Sequence, residues 1–154
     1  MYFFKITLFF LLSYAIYADK VEITSTSMKA ENLKKEVHFI GDAKIKKLDD
    51  WLHADKVIVY FDDNNETKMY KAIGNVTFEL ENNKNNYRGK AQEVTYHPLT
   101  KIYELEGKAI IDDVVNNRHV NGNKIQLDMN TGDVQVSGSQ KKPVKFIFDM
   151  ENNK

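Results

Sequence analysis

Apolar and polar side chains alternate with a period of two along most of this chain, the pattern of a strand with one buried face. Val37, Phe39, Gly41, Ala43 and Ile45 share one face, while Asp42, Lys44 and Lys46 take the other. The same arrangement returns in Tyr70, Ala72, Gly74, Val76 and Phe78, and again in Tyr103, Leu105, Gly107, Ala109 and Ile111. Val134, Val136 and Gly138 begin a fourth copy. Gly41, Gly74 and Gly107 lie 33 residues apart and Gly138 lies 31 further on, so the chain is an array of repeats. A glycine at a fixed place on the inward face suits a sharp bend or a close backbone approach.

A second strand precedes each glycine strand. Met28, Val94 and Ile125 stand thirteen residues before Gly41, Gly107 and Gly138, in "STSMKA", "AQEVTY" and "GNKIQL". Val57, in "ADKVIVY", stands seventeen before Gly74, the four extra residues falling in the polar loop "DDNNET". Insertions are cheap in such a loop. "HPLTK" (97–101) and "DMNTGD" (128–133) carry turn signals, and the Asn-rich "ENNKNN" and "VVNNRHVNGN" read as connections between units. No stretch after residue 20 keeps a helical period; "AENLKKEV" comes nearest and is short. The pattern predicts an all-β fold built from repeated antiparallel strand pairs.

The first eighteen residues, "MYFFKITLFFLLSYAIYA", differ from the rest. One lysine precedes an apolar run that ends in small residues, the form of a secretory signal peptide cut after Ala18. An uncleaved anchor is the alternative, although a spanning helix wants roughly 20 apolar residues. Residues 19–154 then form one domain. Loss of Lys5 takes the formal net charge from 0 to −1, which argues against nucleic-acid binding through a basic face. The chain has no cysteine, and a domain of this size can stand on its core alone.

Two stretches then bear a family likeness: Ala54 to Val57 with Tyr70 to Val76, and "GNKIQLDMNTGDV" (122–134). They resemble the OstA-like repeat of the LptA family of periplasmic lipopolysaccharide-transport proteins, over roughly residues 21 to 140. The resemblance implies a twisted, open β-jellyroll that holds lipopolysaccharide acyl chains between its sheets and stacks end to end as a bridge from inner to outer membrane. It also implies jellyroll domains of inner- and outer-membrane export components as partners. The long "DDNNET" loop and the "SGSQKKPVK" stretch, which interrupts the fourth glycine strand, depart from the family pattern.

On that resemblance the inward stripe is the lipid-binding surface: Val37, Phe39, Ile45, Val57, Val59, Tyr70, Val76, Phe78, Val94, Tyr96, Tyr103, Leu105, Ile111, Ile125, Leu127, Val134 and Val136. Its mixture of large residues with glycine and alanine suits a cavity wall, and also a filled, tapered interior. Each methylene sheltered from water contributes about 0.8 kcal/mol, so apolar lining rather than directed polar contact carries such binding. An open jellyroll leaves unpaired edges that invite strand addition. The edge candidates are "VEITST" (21–26), with Val21 and Ile23, and "VKFIFD" (144–149), with Val144, Phe146 and Phe148. Head-to-tail self-association through them is expected, against the opposing effect of Pro143 and the lysines as edge blunters.

Catalysis finds little to work with. His38, His53, His97 and His119 are scattered, none at ligand spacing with another. Asp62 to Glu66 resembles part of a calcium loop but lacks its central glycine and closing glutamate, so it reads as a solvated turn. No metal, cofactor or enzymatic activity is expected. Asn65-Glu66-Thr67 and Asn75-Val76-Thr77 fit the N-glycosylation acceptor pattern, and Asn65 is the one in a loop. Lys34-Lys35, Lys44/Lys46/Lys47 and Lys141-Lys142 suit solvated surface, or lipid phosphates if they stand at a cavity mouth. The alternatives are an inner-membrane-anchored relative of the same export system, or a structural or adhesive β-repeat with a filled core. A small outer-membrane barrel fits less well, since such chains typically end on an aromatic residue and this one ends "DMENNK".

Overall fold

A computed structural model describes residues 20–81 and 84–150. The stretch 1–18, expected to be a signal peptide, lies outside the described residues. Ten strands follow one another: β1 (Glu22–Thr24), β2 (Ser27–Glu31), β3 (Glu36–Lys47), β4 (Asp50–Phe61), β5 (Thr67–Glu81), β6 (Asn86–His97), β7 (Ile102–Asp113), β8 (Arg118–Asp128), β9 (Val134–Ser137) and β10 (Lys145–Phe148). All pairings are antiparallel, and β3 to β8 form a meander in chain order. The two ends match each other. β1 and β2 share β3 as partner at one edge, and β9 and β10 share β8 at the other. The edges do not pair with one another, so the sheet stays open. Among the described residues no helix is long and apolar enough to cross a membrane.

The repeating glycines mark a line of bulges across the sheet. At each one, two residues oppose a single residue of the neighbouring strand. Gly41-Asp42, Gly74-Asn75 and Gly107-Lys108 fall out of register against Asp55, Gln92 or Asn123. Both members of each pair have positive φ: 85° and 46°, 85° and 47°, 80° and 47°. Only glycine enters that region freely, and a bulge increases local bend and twist. Aligned over five strand junctions, the bulges fold the sheet into two halves whose inner faces share one core.

Gly74 is tied to this corner twice over. A Cβ on it would meet the Asp55 carboxylate, 2.9 Å from Cγ and 3.0 Å from Cβ, and its φ of 85° already strains any L side chain. The Asp55 carboxylate accepts a hydrogen bond from the Asn75 side-chain amide at 3.1 Å, so the group in the way is itself held. Gly74→Ala is expected to lower unfolding stability by roughly 1–3 kcal/mol in urea titration. A change below about 0.5 kcal/mol would show that the corner relaxes freely.

The elements predicted from alternation are present, and most run further than expected. "HPLTK" and "DMNTGD" are turns, and "DDNNET" is the loop between β4 and β5, where Asp62 Oδ1 accepts the backbone N–H groups of Asn64 and Glu66. The stretch "VVNNRHVNGN" is only partly a connection, since β8 already begins at Arg118. The fourth glycine strand is split. β9 stops at Ser137, a tight loop turns at Gly138, and β10 resumes pairing with the other half of β8.

Candidate functional site

Cross-strand register sorts the inner face into rows running across the sheet. Farthest from the bulge line on one half lie Val37, Val59, Tyr70, Tyr96, Tyr103, Leu127 and Val134. Next come Phe39, Val57, Ala72, Val94, Leu105, Ile125 and Val136. Beyond the bulges the first row is small: Ala43, Ala54, Val76, Ala91, Ala109 and Gly122. Then follow Ile45, Leu52, Phe78, Gly89, Ile111, Val120 and Phe146. Small residues beside the bend let the two halves meet at a narrow apex, and larger ones fill the widening gap.

The rim of this second half is partly charged. Lys47 and Asp50 pair in register, and Leu80, Tyr87, Asp113, Arg118 and Phe148 continue the line. Asp113 is buried; burial pushes its carboxyl up, and hydrogen bonds from Asn116 and Arg118 outweigh that and hold it below its ordinary value. The Arg118 contact is 2.8 Å. The Asp50 carboxylate accepts the Glu81 N–H at 2.7 Å, yet burial raises its pKa. On the opposite wall Tyr70, Tyr96 and Tyr103 stack with centroids 6.2 and 4.3 Å apart. Burial lifts the phenols of Tyr96 and Tyr103 above the usual range, and the charge of Asp50 across the gap adds to it.

Between the halves the interior is filled in its middle and open towards both ends. Val57, Val76, Leu105, Ile125 and Leu127 are wholly buried. One cavity of about 240 Å³ lies between Ile45, Leu52 and Leu80 on one wall and Tyr96, Val94 and Tyr103 on the other, and reaches the N-terminal edge at Val21. A second, of about 380 Å³, lies between Tyr87, Ile111 and Val120 and the β9 residues Val134 and Val136, reaching the C-terminal edge at Val144 and Phe146. An apolar cavity of about 150 Å³ is enough to take benzene, so each of these has room for part of an alkyl chain.

Sequence-predicted stripe residues fall on this inner face. Val57, Val59, Val76, Phe78, Val94, Leu105, Ile111, Ile125 and Leu127 are buried in one cluster, and Phe39, Ile45, Tyr70, Tyr103 and Val136 pack on it. Val37 and Tyr96 are half-buried and Val134 is exposed. Leu80 continues the parity of Phe78 into the interior, and Leu52, Tyr87 and Val120 share the interior without being evident from simple alternation. Of the edge residues, Ile23 packs on the core, while Val21, Val144, Phe146 and Phe148 are exposed. Outward Lys44, Thr77 and Glu106 face solvent.

The histidines are less isolated than their spacing suggests. His38 Nε2 stands 2.8 Å from Glu36 Oε2, and Glu31 lies close enough for the three to offer ligand atoms within 4.8 Å. Lys29 and Lys34 pair with Glu31 at 3.1 and 3.2 Å, so the cluster compensates its own charge. His119 pairs with Asp112 on the outer face.

A single open antiparallel sheet, folded along a line of bulges around an apolar slit, defines an open β-jellyroll. The chain belongs to the LptA/(LptD N-terminal domain) LPS transport protein family, whose model matches residues 22–133. Its fold is similar to that of LptH from Pseudomonas aeruginosa, described as the LptA-homologous periplasmic component of the lipopolysaccharide transport device. The TM-score is 0.75 at 13% identity, covering 85% of this chain and 96% of that one. No curated protein sequence matches the chain.

Proposed function

We propose that the mature protein is a periplasmic carrier that shelters lipopolysaccharide acyl chains between the two half-sheets and passes them towards the outer membrane, without chemistry of its own. The observation that carries this is the slit itself: apolar on both walls, with a cavity opening towards each edge of the sheet. A chain of about a dozen methylenes withdrawn from water contributes up to roughly 10 kcal/mol, enough without a directed polar site. Occupying both cavities at once requires the halves to part, and an open sheet permits this where a closed barrel does not. Residues 1–18 direct export and are removed on it. The two edges then serve strand addition, either to further copies head to tail or to jellyroll domains of inner- and outer-membrane export components. Stacked in that sense, the cavity at one chain's C-terminal edge adjoins the cavity at the next chain's N-terminal edge.

The filled middle supports a second reading, a structural β-repeat. One experiment separates the two. Photo-crosslinking groups at Ile45, Tyr103 and Val136 are expected to capture lipopolysaccharide, while groups at Lys44, Thr77 and Glu106 capture none. Equal capture from both faces, or none from either, would leave the structural β-repeat.

A further inference from the structure

The two mouths of the slit differ in charge. At the cavity near the C-terminal edge the inward cation, Arg118, is already matched by Asp113. At the other cavity two lysines stand on opposite walls: Lys47 at the end of β3, and Lys101 in the turn between β6 and β7. Elsewhere Lys44, Lys71, Lys124, Arg88 and Arg118 each lie within 4.0 Å of a carboxylate. Lys47 and Lys101 make no such pair among the described residues, although Lys47 sits in register with Asp50. The Asp50 carboxylate accepts the Glu81 N–H instead. Lys101 is held on both sides by its backbone, its N–H donating to His97 at 2.8 Å and its carbonyl accepting from Met129 at 3.0 Å. Its side chain therefore starts from a fixed turn, and Tyr103 and Pro98 line the same cavity.

Two cations facing each other over an apolar cavity, neither in a close ion pair and only Lys47 feeling the charge of Asp50, fit one kind of ligand. We propose that Lys47 and Lys101 form a clamp for the anionic phosphate of an amphiphile whose alkyl chain enters the cavity below them. The clamp rests on the proposal that the slit shelters lipid, and assigns to it a direction: headgroup at this mouth, chain inward past Leu52, Leu80 and Tyr96. Charge-assisted contacts to phosphate are stronger than neutral ones, yet at a solvated rim each stays modest and screened by salt. Asp50, on the same rim, opposes the anion.

Calorimetric titration of the full mature chain tests this with dodecyl phosphate, dodecyl maltoside and inorganic phosphate, each below any micelle threshold and at low salt. Dodecyl phosphate is expected to bind about tenfold more tightly than the maltoside, and inorganic phosphate alone far more weakly than either. Lys47→Gln combined with Lys101→Gln should remove that preference while leaving maltoside binding within about twofold. Asp50→Asn should strengthen dodecyl phosphate binding a few-fold, an effect of opposite sign that loss of fold does not produce. Equal binding of the two detergents, unmoved by the lysine changes, would overturn the clamp and leave the lipid shelter standing. Binding of inorganic phosphate as tight as that of dodecyl phosphate would overturn the amphiphile. Failure of both detergents to bind would overturn the shelter and the clamp with it.

Discussion

Replacing Phe78 by alanine is expected to remove roughly 3–5 kcal/mol of stability, a large share of the 5–15 kcal/mol that a domain of this size commonly has. Phe78 is 2% exposed and is among the largest side chains fully enclosed by the fold. Its register partners are Leu52 and Gly89. The ring occupies the space that a side chain at Gly89 would fill: a Cβ there would collide with Phe78 Cζ and stand 2.8 Å from Cε1. On the β6 side no side chain can collapse into that space, because Gly89 has nothing to move and Ala91 beside it is small. With collapse possible only from the Leu52 side, much of the void stays open and the cost lies towards the upper end of the range. Urea unfolding at neutral pH would measure it. A loss below about 1 kcal/mol would mean that the ring is not what keeps the halves together, and the filled middle would have to be assigned to the aliphatic residues alone.

Half of this architecture could be seen in the chain before any coordinates, and the reason is geometric. On β3, β5 and β7 the bulge inserts two residues, so Phe39 and Ala43, or Leu105 and Ala109, keep the same parity across it. Alternation therefore runs unbroken through the glycine and the strand declares itself. On β4, β6 and β8 the same bulge adds one residue. Ala54 is followed inward by Val57, Ala91 by Val94 and Gly122 by Ile125, and the face slips by one. A period-two scan loses the strand at that point, which is why Leu52, Tyr87 and Val120 were missed and why 118–123 looked like a connection. A signal was present. Gln92 and Asn123 stand fifteen residues before Gly107 and Gly138, as Thr26 does before Gly41, and these polar residues mark where the partner strand turns its corner.

The rim was illegible for a different reason. Nothing in "KKLDDWL" distinguishes a lysine on the inner face from its neighbours, because Lys46 and Lys47 look alike until the register puts one opposite Trp51 and the other opposite Asp50. Lys101 comes to the same cavity from 54 residues away in the chain, across a fold axis that no local pattern encodes. Charge placement in a folded sheet is a long-range property. The apolar stripe, repeated in every strand, is a local one.

Deleting residues 144–154 is expected to abolish concentration-dependent association in sedimentation experiments while the circular dichroism of the sheet persists. Every residue of β10 is exposed, so its loss costs the core little. What it removes is an unusual surface. Phe146 is 50% and Phe148 56% exposed, their rings stack 5.2 Å apart, and register places them on the inner side beside Val120 and Arg118. Two half-exposed phenylalanines on an edge strand whose outer side is unpaired are an arrangement that natural sheets usually avoid. The strand becomes useful when a second chain adds to it, because the apolar wall then continues from one slit into the next. The complementary edge at β1 offers Val21, at the mouth of the other cavity. A contact between unlike edges is heterologous and propagates as a filament rather than closing as a dimer. The chain lacks cysteine, so single cysteines at the outward-facing Glu22 and Ile147 can test the polarity directly. Mixed variants should cross-link β1 to β10 and neither edge to itself. Cross-links between like edges would replace the filament with a two-fold dimer. A full-length chain that stays monomeric at high concentration, and whose edges contact no jellyroll domain, would refute assembly through β10.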